Sequence, residues 1–240
     1  MKVAVIGNGR VATHMSRALA AAGHEVLMCG GRNRQHPVPS DTEVLLISVK
    51  DDAIAQVASE FSDCGFLVLH TSGSVDMKTI PSPRRGVLYP MQTFSMDRKV
   101  DFRKIPLFLE TGTPDDMKVL CSLAATLSDV LMPMDSEKRR TLHLAAVFCC
   151  NFVNHLLELA HGLLSEQEIP FSMMMPLIEE TIAKINTITP HDAQTGPAVR
   201  WDTGVIRKHI DMLSENRHKE IYRLLSESIH AAHSDETDII

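Results

Sequence analysis

Short apolar runs recur along residues 1–134, and stretches whose apolar residues fall at helical spacing separate several of them. The apolar runs predict strands over residues 3–6, 25–28, 43–49, 66–70, 86–89, 106–110 and 129–132. The stretches at helical spacing predict helices over residues 11–22, 53–61 and 114–127. Strands that alternate with helices in short steps indicate βαβ units and a mostly parallel, doubly wound sheet.

The pattern changes after Pro133. Proline residues separate four long stretches of helical periodicity, which cover residues 136–164, 171–188, 198–214 and 217–233. We therefore predict a cofactor-binding α/β domain over residues 1–134, followed by an all-α domain over residues 135–240 that binds substrate. The apolar faces of the long helices exceed what one small domain can bury, so the helical half is also expected to form a homodimer.

Charge and cysteine content narrow the range of partners and compartments. The chain has 24 Lys and Arg against 30 Asp and Glu, so it offers no basic surface for nucleic acid and no basic patch for anionic lipid. Its five cysteines form no C-x-x-C pair, and the N-terminus runs directly into the first apolar run without a signal peptide. We expect a reduced, cytoplasmic protein.

The most apolar long segment covers residues 142–160. It carries His143, Asn151, Asn154, His155 and Glu158, whose polar groups are costly in lipid. We expect this segment to form a buried helix and not to span a membrane.

A glycine-rich turn follows the first predicted strand. Gly7, Gly9 and Ala12 have G-x-G-x-x-A spacing, and a helix is predicted to begin there. Such a turn lets backbone N–H groups and the helix N-terminus approach a pyrophosphate. We expect the turn to bind a dinucleotide, and a glycine turn without a ligand is the alternative. The expected contacts from this turn are Gly7, Asn8, Gly9, Arg10, Val11 and Ala12.

The loop after the second predicted strand bears on the choice of cofactor. It contains no acidic residue, whereas S-adenosylmethionine enzymes usually place an acid there and NAD enzymes use one to bind the ribose. Arg32 and Arg34 instead place guanidinium groups where a 2′-phosphate would lie, which favours NADP(H) over NAD(H). The alternative is that these arginines lie in a solvated loop without a ligand. The further cofactor contacts that we expect are Gly31, Arg32, Asn33, Arg34, Ser48, Val49, Lys50, Thr71 and Ser72.

Several segments resemble a known superfamily. The segments that carry the resemblance are GNGRVA (7–12), GGRNR (30–34), LHTSGSV (69–75), LYPMQTFS (88–95), RRTLHLAAVFCCNF (139–152), PLIEETIAKI (176–185) and QTGPAVRWD (194–202). They are similar to the 6-phosphogluconate-dehydrogenase-like superfamily, which includes pyrroline-5-carboxylate reductases and deazaflavin-dependent NADP oxidoreductases. Within it, the chain resembles NADP oxidoreductases that pair a Rossmann domain with a helical C-terminal domain of unassigned function. The resemblance implies NADP binding, a helical dimerisation domain and a redox role.

One departure from the related enzymes bears on the chemistry. The related hydroxyacid dehydrogenases have a catalytic lysine four residues before an asparagine on the first long interdomain helix. Here Val147 precedes Asn151 at that spacing, so a lysine-driven alcohol dehydrogenation is not supported.

Polar side chains follow two of the predicted strands, in the loops at residues 70–74 and 89–93. Ligands of doubly wound sheets bind beyond the carboxyl ends of the strands, so these loops are expected to face the nicotinamide and the substrate. A carbon that accepts hydride needs a proton delivered to its oxygen or nitrogen, and a histidine suits that task. We expect His143 to donate the proton or to orient the reacting groups, with His70 next, and Ser72, Tyr89 and Asn151 to bind the substrate by hydrogen bonds.

Alternatives remain for several of these residues. His143 could be a core histidine with a structural role. Gln92, Thr195 and Arg200 are expected to contact substrate, although Arg200 could instead pair with Asp202. The twelve histidines lie near no Cys, Asp or Glu set at ligand spacing, so no metal site is expected.

The sequence therefore predicts an NADP(H)-dependent oxidoreductase that reduces a small carbonyl or imine substrate. The alternative is a non-catalytic NADP(H)-binding redox sensor or regulatory dimer.

Overall fold

The computed structural model describes residues 1–31 and 36–234. They form two compact units, the first ending at Phe152 and the second beginning at Val153. The functional division expected from the sequence, with cofactor binding by residues 1–134 and substrate binding and dimerisation by residues 135–240, stays a prediction.

The first unit is built on one sheet, in which the described residues form seven strands in the order β2-β1-β3-β4-β5-β6-β7. Neighbouring strands are parallel except for the antiparallel pair β5 and β6. The predicted α/β class with a mostly parallel, doubly wound sheet is confirmed. The strands are β1 (Lys2–Ile6), β2 (Glu25–Gly30), β3 (Val44–Ile47), β4 (Leu67–His70), β5 (Arg85–Pro90), β6 (Leu107–Thr111) and β7 (Leu131–Pro133).

Helices cover both faces of this sheet. Helices α1 and α3 pack their apolar sides on one face, where Met15 and Leu120 belong to the same buried cluster. Helix α2 packs on the other face, where Ile54 and Val57 are buried against β1, β3 and β4. The strand order reverses between β1 and β3, which makes a crevice at their carboxyl ends. The helices are α1 (Arg10–Ala21), α2 (Asp51–Ser59) and α3 (Pro114–Ala125).

The helical stretch predicted over residues 136–164 is present with one irregularity. Helix α4 (Ser136–Ala146) begins at an N-cap, where the Asp135 side chain accepts a hydrogen bond from the Lys138 N–H at 2.8 Å. A π-helical turn, Val147–Phe152, then ends the first unit. Such turns widen the helix by one residue and are frequent at functional sites.

The regular elements of the second unit are all helices in its described residues, as predicted, and turns and loops cover residues 185–202. One predicted helix begins later than expected, because the Asp202 side chain accepts a hydrogen bond from the Val205 N–H and fixes the helix start after it. The helices are α5 (Val153–Ser165), α6 (Met175–Lys184), α7 (Thr203–Met212) and α8 (Asn216–His233).

By length and composition, the stretch Ser136–Ser165 is the one helix in the described residues that could cross a membrane, which is weak evidence because core helices of soluble proteins pass the same test. None of its most apolar window is buried in the single chain. Leu144, Phe148 and Phe152 are among the exposed side chains. The burial expected from the sequence is therefore not achieved within one chain.

Candidate functional site

A cavity of about 780 Å³ lies at the carboxyl ends of β1, β3, β4 and β5 in the first unit. Each of these strands is followed by a loop that lines it, as expected for a doubly wound sheet. The cavity brings together most of the site residues predicted from the sequence. They are Gly7, Asn8, Gly9, Arg10, Val11, Gly31, Ser48, Val49, Lys50, Thr71, Ser72, Tyr89, Gln92 and His143.

The glycine-rich turn forms one wall of the cavity. Gly7 has φ +145°, and a Cβ atom at this position would lie 2.1 Å from the carbonyl oxygen of Ser48 on the neighbouring strand. A side chain is therefore excluded at Gly7 both by its conformation and by this close approach. Ala12 is fully buried behind the turn, in the core between α1 and the sheet, where a larger side chain would force the helix away.

The N-terminus of α1 is open towards an anion. Gly9 is the N-cap residue, no side chain caps the helix, and its first turn carries no acidic residue. A Cβ atom at Gly9 would meet no atom within 4 Å, so there is space at the turn for a ligand. The first N–H groups of a helix need a partner and carry partial positive charge, and a phosphate group meets both conditions.

Hydroxyl and amide groups line the next part of the cavity. The Thr71 hydroxyl donates to the Ser48 hydroxyl at 3.0 Å, which joins the ends of β3 and β4. On the other side of the turn, Asn8 lies against Gly31, where a Cβ atom would lie 3.4 Å from the Asn8 Oδ1 atom. The predicted contacts Arg32, Asn33 and Arg34 lie outside the described residues.

Tyr89 and His143 form a hydrogen-bonded pair at the cavity. The Tyr89 hydroxyl lies 3.0 Å from Nδ1 of His143, and the two rings meet edge to face with centroids 5.9 Å apart. Burial raises the pKa of the Tyr89 hydroxyl above its ordinary value, the positive charge of Arg139 acts in the opposite direction, and Cys150 raises it further. Tyr89 therefore stays protonated at neutral pH.

Gly73 makes room for this pair. A Cβ atom at Gly73 would lie 2.6 Å from Nδ1 of His143 and 2.7 Å from its Cγ. The imidazole thus packs directly on the backbone of the loop after β4, and any larger residue at this position would displace it. The sequence placed Gly73 in a loop expected to face the nicotinamide, but nothing in the TSGS segment predicts its contact with His143.

His70, the second predicted proton donor, is fully buried and is not part of the cavity wall. Its Nδ1 accepts a hydrogen bond from the Ser72 N–H at 3.1 Å, so the imidazole supports the loop after β4. Burial, together with the positive charge of Arg139, lowers the pKa of His70 from 6.5 to about 4. A neutral imidazole in this position holds the loop that carries Ser72.

The other predicted residues take different positions. Ser72 lines the cavity, and its hydroxyl accepts the N–H groups of Ser74 and Val75 at 3.0 and 3.1 Å. Asn151 is exposed on the π-helical turn and does not line the cavity. Thr195 and Arg200 belong to the second unit, where both are exposed.

Further residues that were not among the predicted site residues also line the cavity. Asp51, Asp52 and Ala53 form the first turn of α2 at the cavity wall, and Pro90 ends β5 there. Among residues 1–31 and 36–234, no three His, Cys, Asp or Glu side chains converge to hold a metal ion.

Comparison with known proteins shows which family the chain matches and which solved structures it resembles. Residues 105–229 match a family model described as a domain of unknown function, DUF2520. The crystal structure of a "putative NADP oxidoreductase" from Bacteroides fragilis is 37% identical to this chain, with a TM-score of 0.87, and the match covers 96% of this chain and 98% of that one. No curated protein matches the chain significantly.

More distant structures share the fold. An imine reductase from Myxococcus stipitatus, solved in complex with NADP⁺, has a TM-score of 0.66 and 13% identity over 99% of this chain and 94% of that one. A pyrroline carboxylate reductase from Plasmodium falciparum, with NADP bound, has a TM-score of 0.60 and 9% identity over 96% and 98% of the two chains. At these identities the comparison establishes the fold alone.

Proposed function

The chain belongs to the family defined by the DUF2520 domain, and it is 37% identical to a protein from Bacteroides fragilis that is described as an NADP oxidoreductase; we therefore propose that it is an NADP(H)-dependent oxidoreductase. We further propose that it reduces a small carbonyl or imine substrate by hydride transfer. One observation carries this proposal. A single cavity contains both the open N-terminus of α1 and the Tyr89–His143 pair.

The residues of the cavity fit a dinucleotide. The uncapped first turn of α1 would hold the pyrophosphate, and Arg10 and Lys50 bring positive charge to the lining of the same cavity. Asn8 and Gly31 would lie beside the adenosine ribose. Binding of the 2′-phosphate by Arg32 and Arg34 stays a prediction from the sequence, as does the preference for NADP(H) over NAD(H) that depends on it.

The bound nicotinamide would supply the hydride, and the protein supplies the proton. In its protonated form, the imidazole of His143 gives its Nε2 proton to the oxygen or nitrogen of the reduced group and becomes the neutral Nδ1–H form, which takes up a proton from water afterwards. The Tyr89 hydroxyl accepts the Nδ1–H of the ring both before and after the transfer, so it holds the ring in both charge states. Tyr89 therefore orients His143 and directs the labile proton to Nε2.

We also propose that the protein is a soluble homodimer of the cytoplasm. Leu144, Phe148 and Phe152 leave a large apolar face of the first unit exposed, which is unusual for a monomer. A second copy would cover this face without placing the polar groups of the helix in lipid. Sedimentation equilibrium tests the dimer, and flotation with liposomes tests the membrane alternative.

Cofactor titration and turnover together test the function. We expect NADPH to bind more tightly than NADH, and we expect Arg32→Ala to reduce the ratio of the two affinities. Absorbance at the nicotinamide band, followed with a panel of cyclic imines and small ketones, should show NADPH consumption. His143→Ala should abolish turnover and leave NADPH binding intact, whereas His218→Ala, on α8, serves as the control variant. NADPH binding without turnover of any substrate, and with the same NADPH affinity in His143→Ala, would indicate the non-catalytic sensor.

A further inference from the structure

Helix α4 lies over β5 and β6 in a regular arrangement. On the sheet, Val87 pairs with Glu110 and Tyr89 pairs with Phe108, so these four side chains share one face. Above them, Arg139 bonds Glu110 and His143 bonds Tyr89. The two contacts are therefore four residues apart on the helix and two residue pairs apart on the strands.

The spacing of helix and strands makes the two contacts depend on each other. Arg139 and His143 lie about one turn apart on α4, roughly 6 Å along its axis. The bond of Arg139 to Glu110 on β6 therefore also fixes where His143 lies relative to Tyr89 on the neighbouring strand. A shift of α4 along its axis would break both contacts together.

Arg139 is buried at the base of α4 and bonded through its guanidinium. Its side chain is fully buried, and its guanidinium donates to the Glu110 carboxylate, to the Val75 carbonyl oxygen and, at 3.1 Å, to the Ser136 hydroxyl. The Ser136 hydroxyl donates to the same carboxylate at 2.7 Å and accepts the Met77 N–H at 3.0 Å. We call these five groups the Arg139 cluster.

The Arg139 cluster joins the three segments that position the Tyr89–His143 pair. Glu110 belongs to β6, which pairs with the strand that carries Tyr89. Val75 belongs to the loop in which Gly73 makes room for the imidazole. Arg139 itself lies one turn before His143 on α4. The two segments that contact the His143 ring, at Tyr89 and at Gly73, are therefore both tied to the same buried guanidinium.

A stabilising role alone accounts poorly for this cluster. Burying an ion pair has a large desolvation cost, and well-packed apolar side chains of similar volume are often as stable or more stable. Of the alternatives, only a guanidinium can bond a carboxylate, a hydroxyl and a main-chain carbonyl at fixed angles. The cluster thus supplies geometry, which an apolar replacement would not.

We propose that Arg139 is a positioning residue of the site, whose buried pair with Glu110 sets the level of α4 at which His143 meets Tyr89. The proposal rests on the proposed function for its catalytic consequence and on the structure alone for its geometric one. Nothing in it requires Arg139 to contact substrate or cofactor.

The test removes both charges together, in the double variant Arg139→Met with Glu110→Gln, so that no unpaired charge is left buried. The control is Arg84→Met with Asp116→Asn, which removes an ion pair of 2.8 Å elsewhere in the same unit. Crystal structures of both variants with the wild type give the distance from Tyr89 Oη to His143 Nδ1. That distance should exceed hydrogen-bonding range in the first variant and stay at 3.0 Å in the control.

Kinetic measurements separate positioning from a merely structural role. In the Arg139→Met, Glu110→Gln variant, kcat should fall about a hundredfold while the Kd of NADPH changes less than threefold. Adding Tyr89→Phe should then cost little more, because the contact is already lost. Arg139→Lys keeps the positive charge and loses the two-pronged hydrogen bonding of the guanidinium, so its kcat should lie between those of the wild type and the double variant.

Each outcome decides one question. An unchanged Tyr89–His143 distance and kcat in the double variant would overturn the positioning role. If the double variant does not fold, Arg139→Lys decides by the same distance. If the wild type itself has no turnover, the proposed function fails, and the crystal structures still decide the geometric claim.

Discussion

Replacing Gly73 by alanine puts a methyl group where the imidazole of His143 lies. The Cβ atom would be 2.6 Å from Nδ1, 2.7 Å from Cγ and 2.9 Å from Cβ of His143. The backbone of Gly73 is not in the left-handed region, so alanine fits the local conformation and the clash is the only perturbation.

The size of the effect follows from these distances. Ordinary van der Waals contact begins at 3.4 Å, so Nδ1 must move by about 0.8 Å, which is 3.4 minus 2.6. A misplacement of about 1 Å in a catalytic group can cost roughly a hundredfold in rate, and general acid catalysis contributes about 10²–10⁴ in total. We therefore expect Gly73→Ala to lower kcat about a hundredfold.

The assay compares kcat, the Kd of NADPH and the free energy of unfolding for Gly73→Ala and for Gly65→Ala. A Cβ atom at Gly65 would meet no atom within 4 Å, which makes it the matched control in the same unit. The Kd of NADPH should stay within about threefold in both variants, because the new methyl group points at His143. A Gly73→Ala enzyme with wild-type kcat and an intact 3.0 Å bond between Tyr89 and His143 would refute the reasoning.

Three further variants test the turn and the buried histidine. Gly7→Ala should lower the free energy of unfolding by about 2–3 kcal/mol in urea titrations, because its Cβ would lie 2.1 Å from the Ser48 carbonyl oxygen at φ +145°. Gly9→Ala, whose Cβ meets open space, should keep its stability and weaken NADPH binding about tenfold by fluorescence titration. Burial lowers the pKa of His70 from 6.5 to about 4, so the unfolded chain binds a proton that the folded chain refuses. The wild type should therefore lose about 2 kcal/mol of unfolding free energy, between pH 7 and pH 4.5, because of His70. The variant His70→Asn keeps an acceptor for the Ser72 N–H and should be spared this part of the loss. Equal losses in the two proteins would contradict a lowered pKa for His70.

The sequence predicts much of the fold because its local signals agree with each other. The continuous apolar run at residues 43–49 predicts a strand buried on both faces, and β3 (Val44–Ile47) is buried throughout. The run ends two residues early, since Ser48 already turns into the cavity. The glycine-rich turn was predictable as well, because its spacing, the strand before it and the helix after it all indicate the same structure.

The Tyr89–His143 pair was predictable only in part. His143 and Tyr89 were both candidates, but the register of β5 against β6 and the level of α4 decide that they meet. Arg139 and Glu110 are 29 residues apart in the chain, and no periodicity relates them. Gly73 shows its role only through the imidazole packed on it. Contacts of this kind depend on tertiary packing, which local pattern does not encode.

Isotope transfer tests the central claim most directly. NADPH that carries deuterium at both hydrogen positions of nicotinamide C4, incubated with the protein and a panel of cyclic imines and small ketones, should yield a product with one deuterium on the reduced carbon. Mass spectrometry should detect this deuterium for the wild type and not for His143→Ala. Tight NADPH binding with no deuterium in any product would contradict the account.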